Sequence, residues 1–155
     1  PLQPEGGMAN EPVDVAWELA TDDAMRGVVA RGTVAALPEL GHSVHVECDG
    51  LAPDRPYWFR FRAGEATSPI GRTRTFPLPD ALPKQLRFAF ASCQHWEQGL
   101  FTAYADMAQQ DPDFVVHLGD YIYEYAGKDG LVRKHVGGKL TELADYRMRH
   151  AQYRS

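Results

Sequence analysis

The sequence is poor in cysteine and in long apolar runs. Its 155 residues include two cysteines, Cys48 and Cys93, so at most one disulfide could form within the chain. Cys48 closes the alternating stretch SVHVEC, which favours a small buried thiol. No apolar segment approaches the roughly 20 residues of a membrane span, and the start PLQPEGGMAN lacks the layout of a secretory signal. We therefore expect neither a disulfide scaffold nor a membrane span.

Positive charge is also scarce. The chain carries 16 Lys and Arg against 21 Asp and Glu, a formal net charge of -5. A surface that binds nucleic acid needs clustered cations, and the one basic run, YRMRHAQYRS, is typical of a solvated helix face. We therefore expect no nucleic-acid-binding surface. A hydrophobic content of 44% is ample for one medium domain or two small ones.

The first half of the chain alternates apolar and polar residues with period two, which predicts short β-strands separated by turns rich in Gly, Pro and Asp. Five such stretches are visible: VDVAWEL, GVVARGTVAAL, SVHVEC, YWFRFRA and IGRTRTF. The order Leu51, Pro53, Tyr57 before the fourth stretch resembles the tyrosine corner of fibronectin type III and immunoglobulin-like modules. Because such sandwiches usually have about seven strands, we expect one or two more upstream.

Three prolines between Pro77 and Pro83 forbid helix and ladder pairing and favour a stiff connector. We therefore predict a β-sandwich domain over residues 1–77, a linker over 78–83 and a second domain over 84–155. In that domain LRFAFASC and DFVVHLGD predict two strands covered on both faces. Between them, GLFTAYADMAQQ predicts a helix whose apolar stripe is Phe101, Tyr104, Ala105 and Ala108.

The final segment, TELADYRMRHAQY, predicts a second helix. Thr141 is its expected N-cap. The spacing of its apolar and aromatic residues indicates one buried face, formed by Leu143, Tyr146, His150 and Tyr153.

Candidate chemistry lies where the two strands of the second domain end. A strand, helix, strand unit is expected to be parallel, so both strands end at one sheet edge, where open α/β sheets bind ligands. That topology brings Cys93 and Asp120 together, and Tyr123 follows three residues later. A thiolate, a phenolate and a carboxylate together suit a highly charged transition-metal ion, with the carboxylate free to bridge to a second, harder ion.

Simpler interpretations of these residues stay open. Gly-Asp after an apolar strand is often a plain turn, Cys93 can be a structural thiol, and Tyr121, Tyr123 and Tyr125 alternate as one amphipathic face would. His117 lies inside the second strand and is expected to be a packed core histidine. His95, two residues past Cys93, is a candidate for a substrate pocket.

Three stretches together carry a family resemblance: RFAFASCQ, then GLFTAYADMAQQDPDFVVHLGDYIYEY, then LTELADYRMRHAQYRS. They resemble the PhoD family of alkaline phosphatases and phosphodiesterases, and the preceding β-rich half resembles that family's N-terminal domain. The resemblance implies a fibronectin type III-like or Ig-like all-β sandwich, followed by the first β-α-β unit of an α/β metallophosphoesterase sandwich. It also implies a secreted or periplasmic enzyme, exported by the twin-arginine route, that hydrolyses phosphomonoesters or phosphodiesters with metal-activated hydroxide.

In that family a ferric ion is held by a Cys, an Asp and a Tyr, which fall here on Cys93, Asp120 and Tyr123, and Asp120 would also touch calcium. Further family ligands come from segments beyond Ser155, so we expect this chain to be the truncated N-terminal part of an enzyme. Alone it is expected to bind metal poorly and to be inactive. Its uncovered sheet is expected to promote self-association by exchange of elements between copies.

Two other functions are compatible with the sequence. A non-catalytic extracellular β-sandwich binding module would need no metal, and would leave Cys93 and Asp120 pointing apart. Alternatively, Asp120 could accept a phosphoryl group covalently, but that chemistry usually uses another acid close behind and a nearby Lys, whereas Tyr121 and Tyr123 follow here.

Overall fold

The computed structural model describes residues 7–154. The predicted domain start, over residues 1–6, lies outside the described residues. The chain divides into two compact units. The N-terminal unit is Asn10–Lys84, and the C-terminal unit comprises residues 7–9 and the chain from Gln85 onward. Residues 78–83 form no regular element and are exposed.

The N-terminal unit contains one antiparallel sheet in the order β2-β1-β3, with β4 and β5 both paired to β3. Its strands are β1 (Val13–Ala20), β2 (Val28–Ala36), β3 (Pro56–Ala63), β4 (Ala66–Thr67) and β5 (Gly71–Arg74). The period-two alternation produces this arrangement because successive side chains point to opposite faces of a strand. The buried apolar residues described in this unit are Leu19, Ala20, Met25, Ala36 and Tyr57.

The hydroxyl of Tyr57 ties the start of β3 to the loop before it. Its oxygen accepts a hydrogen bond from the backbone N–H of Ala52 at 2.9 Å, and the ring is only 3% exposed. This contact, five residues upstream, is the one that a tyrosine corner makes. It anchors a loop that has no strand of its own.

The predicted strand SVHVEC was wrong. In the structure the segment from Ser43 to Cys48 belongs to no strand, although Val44, Val46 and Cys48 remain half-buried in alternation with exposed neighbours. A strand requires backbone pairing as well as alternation, and in the described sheet β1 and β3 take their partners elsewhere. The two-residue strand β4 was missed because it is too short to show a period.

The C-terminal unit contains a two-stranded sheet and two helices. The strands are β6 (Phe88–Ala91) and β7 (Phe114–His117), and the helices are α1 (Thr102–Gln109) and α2 (Leu143–Tyr153), with a 3-10 turn at Trp96–Gln98. β6 and β7 pair in parallel, with Phe88 opposite Phe114 and Ala91 opposite His117. Both strands therefore end at the same edge.

The expectation that both faces of these strands are covered was wrong for the described residues. Phe88 and Phe90 are 58% and 64% exposed, and Val115 on β7 is 51% exposed. These apolar side chains form strands because β-branched and aromatic residues favour extended backbone. Phe88 stacks on Phe114 of the neighbouring strand, but more than half of each of the three side chains stays exposed, so these strands form without deep burial.

The helices also differ from expectation. α1 begins after Phe101, which has a left-handed backbone at φ 56°, and Ala105 and Ala108 of the predicted stripe are exposed. α2 begins after Glu142 rather than Thr141, because Glu142 and Asp145 form a reciprocal capping box. Thr141 instead donates its backbone N–H to the Asp145 carboxylate at 2.9 Å.

The predicted buried face of α2 was right at Tyr153, which is buried, and wrong at Leu143, Tyr146 and His150, which are exposed. Leu143 and Tyr146 are 65% and 43% exposed, whereas Arg149 is 1% exposed. The buried face is therefore Arg149, Gln152 and Tyr153. The basic run expected to be a solvated helix face thus contributes a fully buried cation.

Candidate metal centre

The chain segments that follow β6 and β7 stay hydrogen-bonded after the strands end. Leu118 N–H donates to the carbonyl of Ala91 at 2.8 Å, and Cys93 N–H donates to the carbonyl of Gly119 at 3.2 Å. The parallel pairing thus continues past the strand ends. It brings Cys93 beside Asp120, although 27 positions separate them.

Two side chains converge on one carboxylate oxygen of a third at this edge. Cys93 Sγ lies 3.6 Å from Asp120 Oδ2, and the Tyr123 hydroxyl lies 3.3 Å from the same oxygen. Both groups act as donors to it. The structure therefore brings all three predicted ligand residues together, while their role as ligands stays a prediction.

Two of the three residues have an unusual backbone. Cys93 and Asp120 have φ values of 56° and 53°, and Gly119 between the strand and Asp120 has φ 118°. A left-handed conformation is uncommon for residues other than glycine, and such residues cluster at functional sites. Here the positive φ values turn the chain sharply at each strand end, where the thiol and the carboxylate meet.

The surroundings of Tyr123 disfavour its ionised form. Burial, the Asp120 carboxylate and the neighbouring Cys93 all raise the pKa of the Tyr123 phenol above its usual value. Without a cation the phenol therefore keeps its proton. Thiols and phenols lose their protons when they coordinate a metal, so a polyvalent ion here would replace two protons with one concentrated charge.

The donor set fits such an ion by its chemistry. A thiolate, a phenolate and a carboxylate together carry three negative charges, which suits a trivalent transition metal better than Mg²⁺ or Ca²⁺ alone. Across residues 7–154, however, no three His, Cys, Asp or Glu side chains cluster as a metal site. Since protein metal sites usually use four or more donors, a complete centre needs ligands beyond these three.

A cavity of about 380 Å³ opens beside Cys93 and Tyr123. Its lining residues are Cys93, His95, Gln98, Tyr123, Tyr125, Ala126, Gly127 and Lys128. The His95 ring stacks on Tyr123 with centroids 4.9 Å apart, and its Nδ1 accepts a hydrogen bond from Glu97 N–H at 3.3 Å. The structure thus places His95 in the wall of the pocket.

His117, expected to be packed in the core, is half-buried at the end of β7. Its Nδ1 accepts a hydrogen bond from Gly119 N–H at 3.3 Å, and its ring meets Tyr121 edge-on at 5.2 Å. It therefore supports the turn that leads into Asp120. Both cysteines are free thiols, and burial raises the pKa of Cys48.

Sequence reasoning missed a buried polar cluster under the loop that carries Tyr123. Glu97 is 2% exposed and its carboxylate accepts hydrogen bonds from the backbone N–H groups of Gly127 and His135. Burial alone would raise the pKa of Glu97, but these hydrogen bonds hold it below its usual value. Arg149 donates to the carbonyl oxygen of Tyr123 at 2.6 Å. No periodic signal marks these residues, because polar side chains in a loop and a basic helix resemble solvated ones.

Within the described residues, no helix is both long enough and apolar enough to span a membrane.

Two family models match successive parts of the chain, and both describe phosphatase domains. Residues 2–77 match the model for a PhoD-like phosphatase, N-terminal domain, and residues 88–155 match the model for a PhoD-like phosphatase. The two matches together define a chain of the PhoD-like phosphatase class.

The sequence is 52% identical to alkaline phosphatase D of Bacillus subtilis (strain 168), over 97% of this chain and 27% of that protein. A solved structure described as the structure of PhoD superposes with a TM-score of 0.94 at 51% identity, over 99% of this chain and 30% of that one. The chain belongs to the PhoD-like phosphatase family. It spans about a quarter of the length of the curated relative.

Proposed function

We propose that this chain supplies the first part of a metal-dependent phosphoesterase that hydrolyses phosphomonoesters or phosphodiesters. The observation that carries the proposal is the convergence of a thiol and a phenol on one carboxylate oxygen, at 3.6 and 3.3 Å. Family membership and the 52% identity to an alkaline phosphatase support it. The same proposal places the enzyme outside the cytoplasm, in the periplasm or beyond.

The proposed fold is a fibronectin-like sandwich in the N-terminal unit, followed by the opening β-α-β unit of a metallophosphoesterase domain. The hydrogen bond from Ala52 to Tyr57 supports the first part. The parallel pairing of β6 and β7, with α1 between them along the chain, supports the second. Under this proposal the domains are residues 1–77 and 84–155.

The proposed ligands are Cys93, Asp120 and Tyr123, holding Fe³⁺, with Asp120 also reaching Ca²⁺. When bound, such ions lower the pKa of water and neutralise charge on the transferring phosphoryl group. In this proposal Cys93 Sγ and Tyr123 Oη lose their protons when the metal binds, and the chain orients the Asp120 carboxylate toward it. The positive φ values at Cys93 and Asp120, which turn the chain where the two side chains meet, support this proposal.

A non-catalytic binding module is the less supported alternative. It requires Cys93 and Asp120 to point apart, whereas the sulfur and Oδ2 lie 3.6 Å from one another. Covalent phosphorylation of Asp120 is also disfavoured, because both Cys93 and Tyr123 point at its Oδ2.

The test is elemental analysis of the intact, purified protein beside two single variants. Cys93→Ala should lose bound iron, whereas Cys48→Ala, which removes the other free thiol, should keep it. Phosphatase and phosphodiesterase activity should fall in the parent when calcium is removed and return when it is restored. Unchanged iron in Cys93→Ala would contradict the proposal.

A further inference from the structure

Arg149 is a charged side chain buried in the C-terminal unit, and its hydrogen bonds run to the main chain of one loop. It is 1% exposed. Its Nη1 donates to the carbonyl of Tyr123 at 2.6 Å and its Nη2 to the carbonyl of Gly138 at 3.0 Å. The guanidinium therefore joins the two ends of the segment that runs from Tyr123 to Gly138.

Burying a guanidinium costs several kcal/mol of lost hydration, and carbonyl acceptors recover only part of that. A neutral residue would pack on a helix face at lower cost. The cost of burying Arg149 is explained if its planar guanidinium is needed to hold two separate carbonyl groups in fixed relative positions, which Arg does better than other side chains.

The same segment is held from its inner side by Glu97. The Glu97 carboxylate accepts from Gly127 N–H and, at 2.8 Å, from His135 N–H. A side chain at Gly127 would place Cβ 2.6 Å from the Leu131 side chain and 3.3 Å from the Glu97 carboxylate, so the loop backbone packs closely against both. The segment is thus held by Arg149 at its two ends and by Glu97 at Gly127 and His135.

Gln152, one turn along α2 from Arg149, binds the loop at a different place. Its side chain accepts from Val136 N–H at 2.9 Å and donates to Val136 carbonyl at 3.0 Å. It is 2% exposed. Arg149 and Gln152 therefore lie on the same helix, are both buried and bind the same loop. Arg149 is the one whose guanidinium donates to the carbonyl of Tyr123.

We propose that Arg149 is a positioning residue of the candidate centre, an inference that rests on the proposed function. By fixing the carbonyl of Tyr123, it holds the phenol within 3.3 Å of Asp120 Oδ2. Groups that orient metal ligands without touching the metal typically change metal affinity by about 10–100-fold when removed.

The experiment compares Arg149→Met with Gln152→Met in the intact protein. Both changes remove buried hydrogen bonds to the loop, so both should lower stability. In Arg149→Met alone, iron affinity should fall by about 10–100-fold, and the resonance Raman ring bands of an iron-bound phenolate should weaken or disappear. In the metal-free proteins, amide exchange near Tyr123 should quicken in Arg149→Met more than in Gln152→Met.

Arg149→Lys guards against a variant that fails to fold. It keeps the charge but cannot span both carbonyls, and its phenolate signal should lie between those of the parent and Arg149→Met. Equal phenolate signals in the parent and both Arg149 variants would overturn this inference and leave the proposed function standing. So would equal losses in Arg149→Met and Gln152→Met. A parent protein without an iron-phenolate signal would contradict the proposed function, and the inference with it.

Discussion

The two units of this chain differ in what they bury. In the described part of the N-terminal unit the interior is apolar, with Leu19, Ala20 and Ala36 each at most 5% exposed. In the C-terminal unit the largest fully buried side chains are Arg149, Gln152 and Glu97, while Phe90 and Leu118 are each 64% exposed.

The difference shows what each unit is organised to hold. Apolar burial stabilises a sheet without regard to pH, at roughly 25 cal/mol per Å². Buried hydrogen-bonded charges contribute less to net stability, but they hold the groups that they contact in place. Removing one partner destabilises the fold strongly, because the other is left buried without a hydrogen bond. The buried polar side chains of the C-terminal unit therefore hold the loop from Tyr123 to Gly138 in place. Its apolar strands remain largely exposed among the described residues.

The largest effect should come from deleting a buried carboxylate. Glu97→Ala leaves the N–H groups of Gly127 and His135 without their hydrogen-bond acceptor. The free energy of unfolding of the C-terminal unit should therefore fall by about 3 kcal/mol. Glu18→Ala breaks the 2.7 Å ion pair with Arg60 on the other unit's sheet, and should cost less than about 1 kcal/mol because that pair is partly exposed.

The measurement is urea unfolding followed by fluorescence. The chain has three tryptophans, of which Trp96 lies in the C-terminal unit. Replacing the other two by Phe isolates the signal of that unit, and replacing Trp96 by Phe leaves the signal of the N-terminal unit. Equal costs for the two Glu variants, each followed in its own unit, would contradict the proposed contrast.

Acid should weaken the C-terminal unit selectively. Burial and the nearby Arg149 charge lower the pKa of His135 from 6.5 to about 4, against the opposing pull of Glu97 at 3.3 Å. The unfolded chain therefore takes up a proton first as pH falls. The stability that neutral His135 confers is complete above pH 6.5 and is lost as pH falls toward 4, amounting to about 3 kcal/mol.

His135→Phe isolates this contribution. The ring stacks on Trp96 at 5.4 Å and on Tyr153 at 5.8 Å, contacts that Phe can keep without a titrating nitrogen. In this variant the urea concentration at the unfolding midpoint should depend much less on pH between pH 7 and pH 4 than it does in the parent. Glu97, with its lowered pKa, adds a separate loss below pH 4.5 that the variant retains. The same slope in the parent and the variant above pH 4.5 would assign the effect to other groups.

The exposed apolar strands should cause the isolated 155-residue chain to self-associate. Phe88 and Phe90 lie on one face of β6, and Phe88 stacks on Phe114 with centroids 5.6 Å apart. Phe90→Lys should weaken association by about tenfold or more, since burying one Phe contributes about 1.5–3 kcal/mol. Sedimentation velocity over a concentration series measures it. Phe76→Lys, at an 80% exposed position in the other unit, serves as the control.

A small effect is expected at Tyr57, at the start of β3. Tyr57→Phe leaves the Ala52 N–H without its 2.9 Å partner and should cost the N-terminal unit about 1 kcal/mol. The C-terminal unit should unfold at the same urea concentration as before. A shift in both units would mean that they do not unfold separately.

Local pattern was enough to predict most strands. β1, β2, β3 and β5 follow from alternation, and β6 and β7 from short apolar runs, because backbone geometry alone sets those periods. The segment from Ser43 to Cys48 failed because alternation does not reveal whether a partner strand is available.

The site was partly predictable for the same reason. Parallel strands end at one edge, so the meeting of Cys93 with Asp120 could be expected from strand order. The burial of Glu97 and Arg149 could not, since a sequence shows that a residue is charged but not which carbonyls and N–H groups will surround it. The face of α2 was misassigned because apolar spacing favoured Leu143 over Arg149.

X-ray absorption at the iron edge of the intact, metal-loaded protein tests the central claim most directly. The account predicts a sulfur scatterer in the first coordination shell of the parent and of Cys48→Ser, and its loss in Cys93→Ser. A parent spectrum with only nitrogen and oxygen neighbours would contradict the assignment of Cys93, and with it the centre proposed at the ends of β6 and β7.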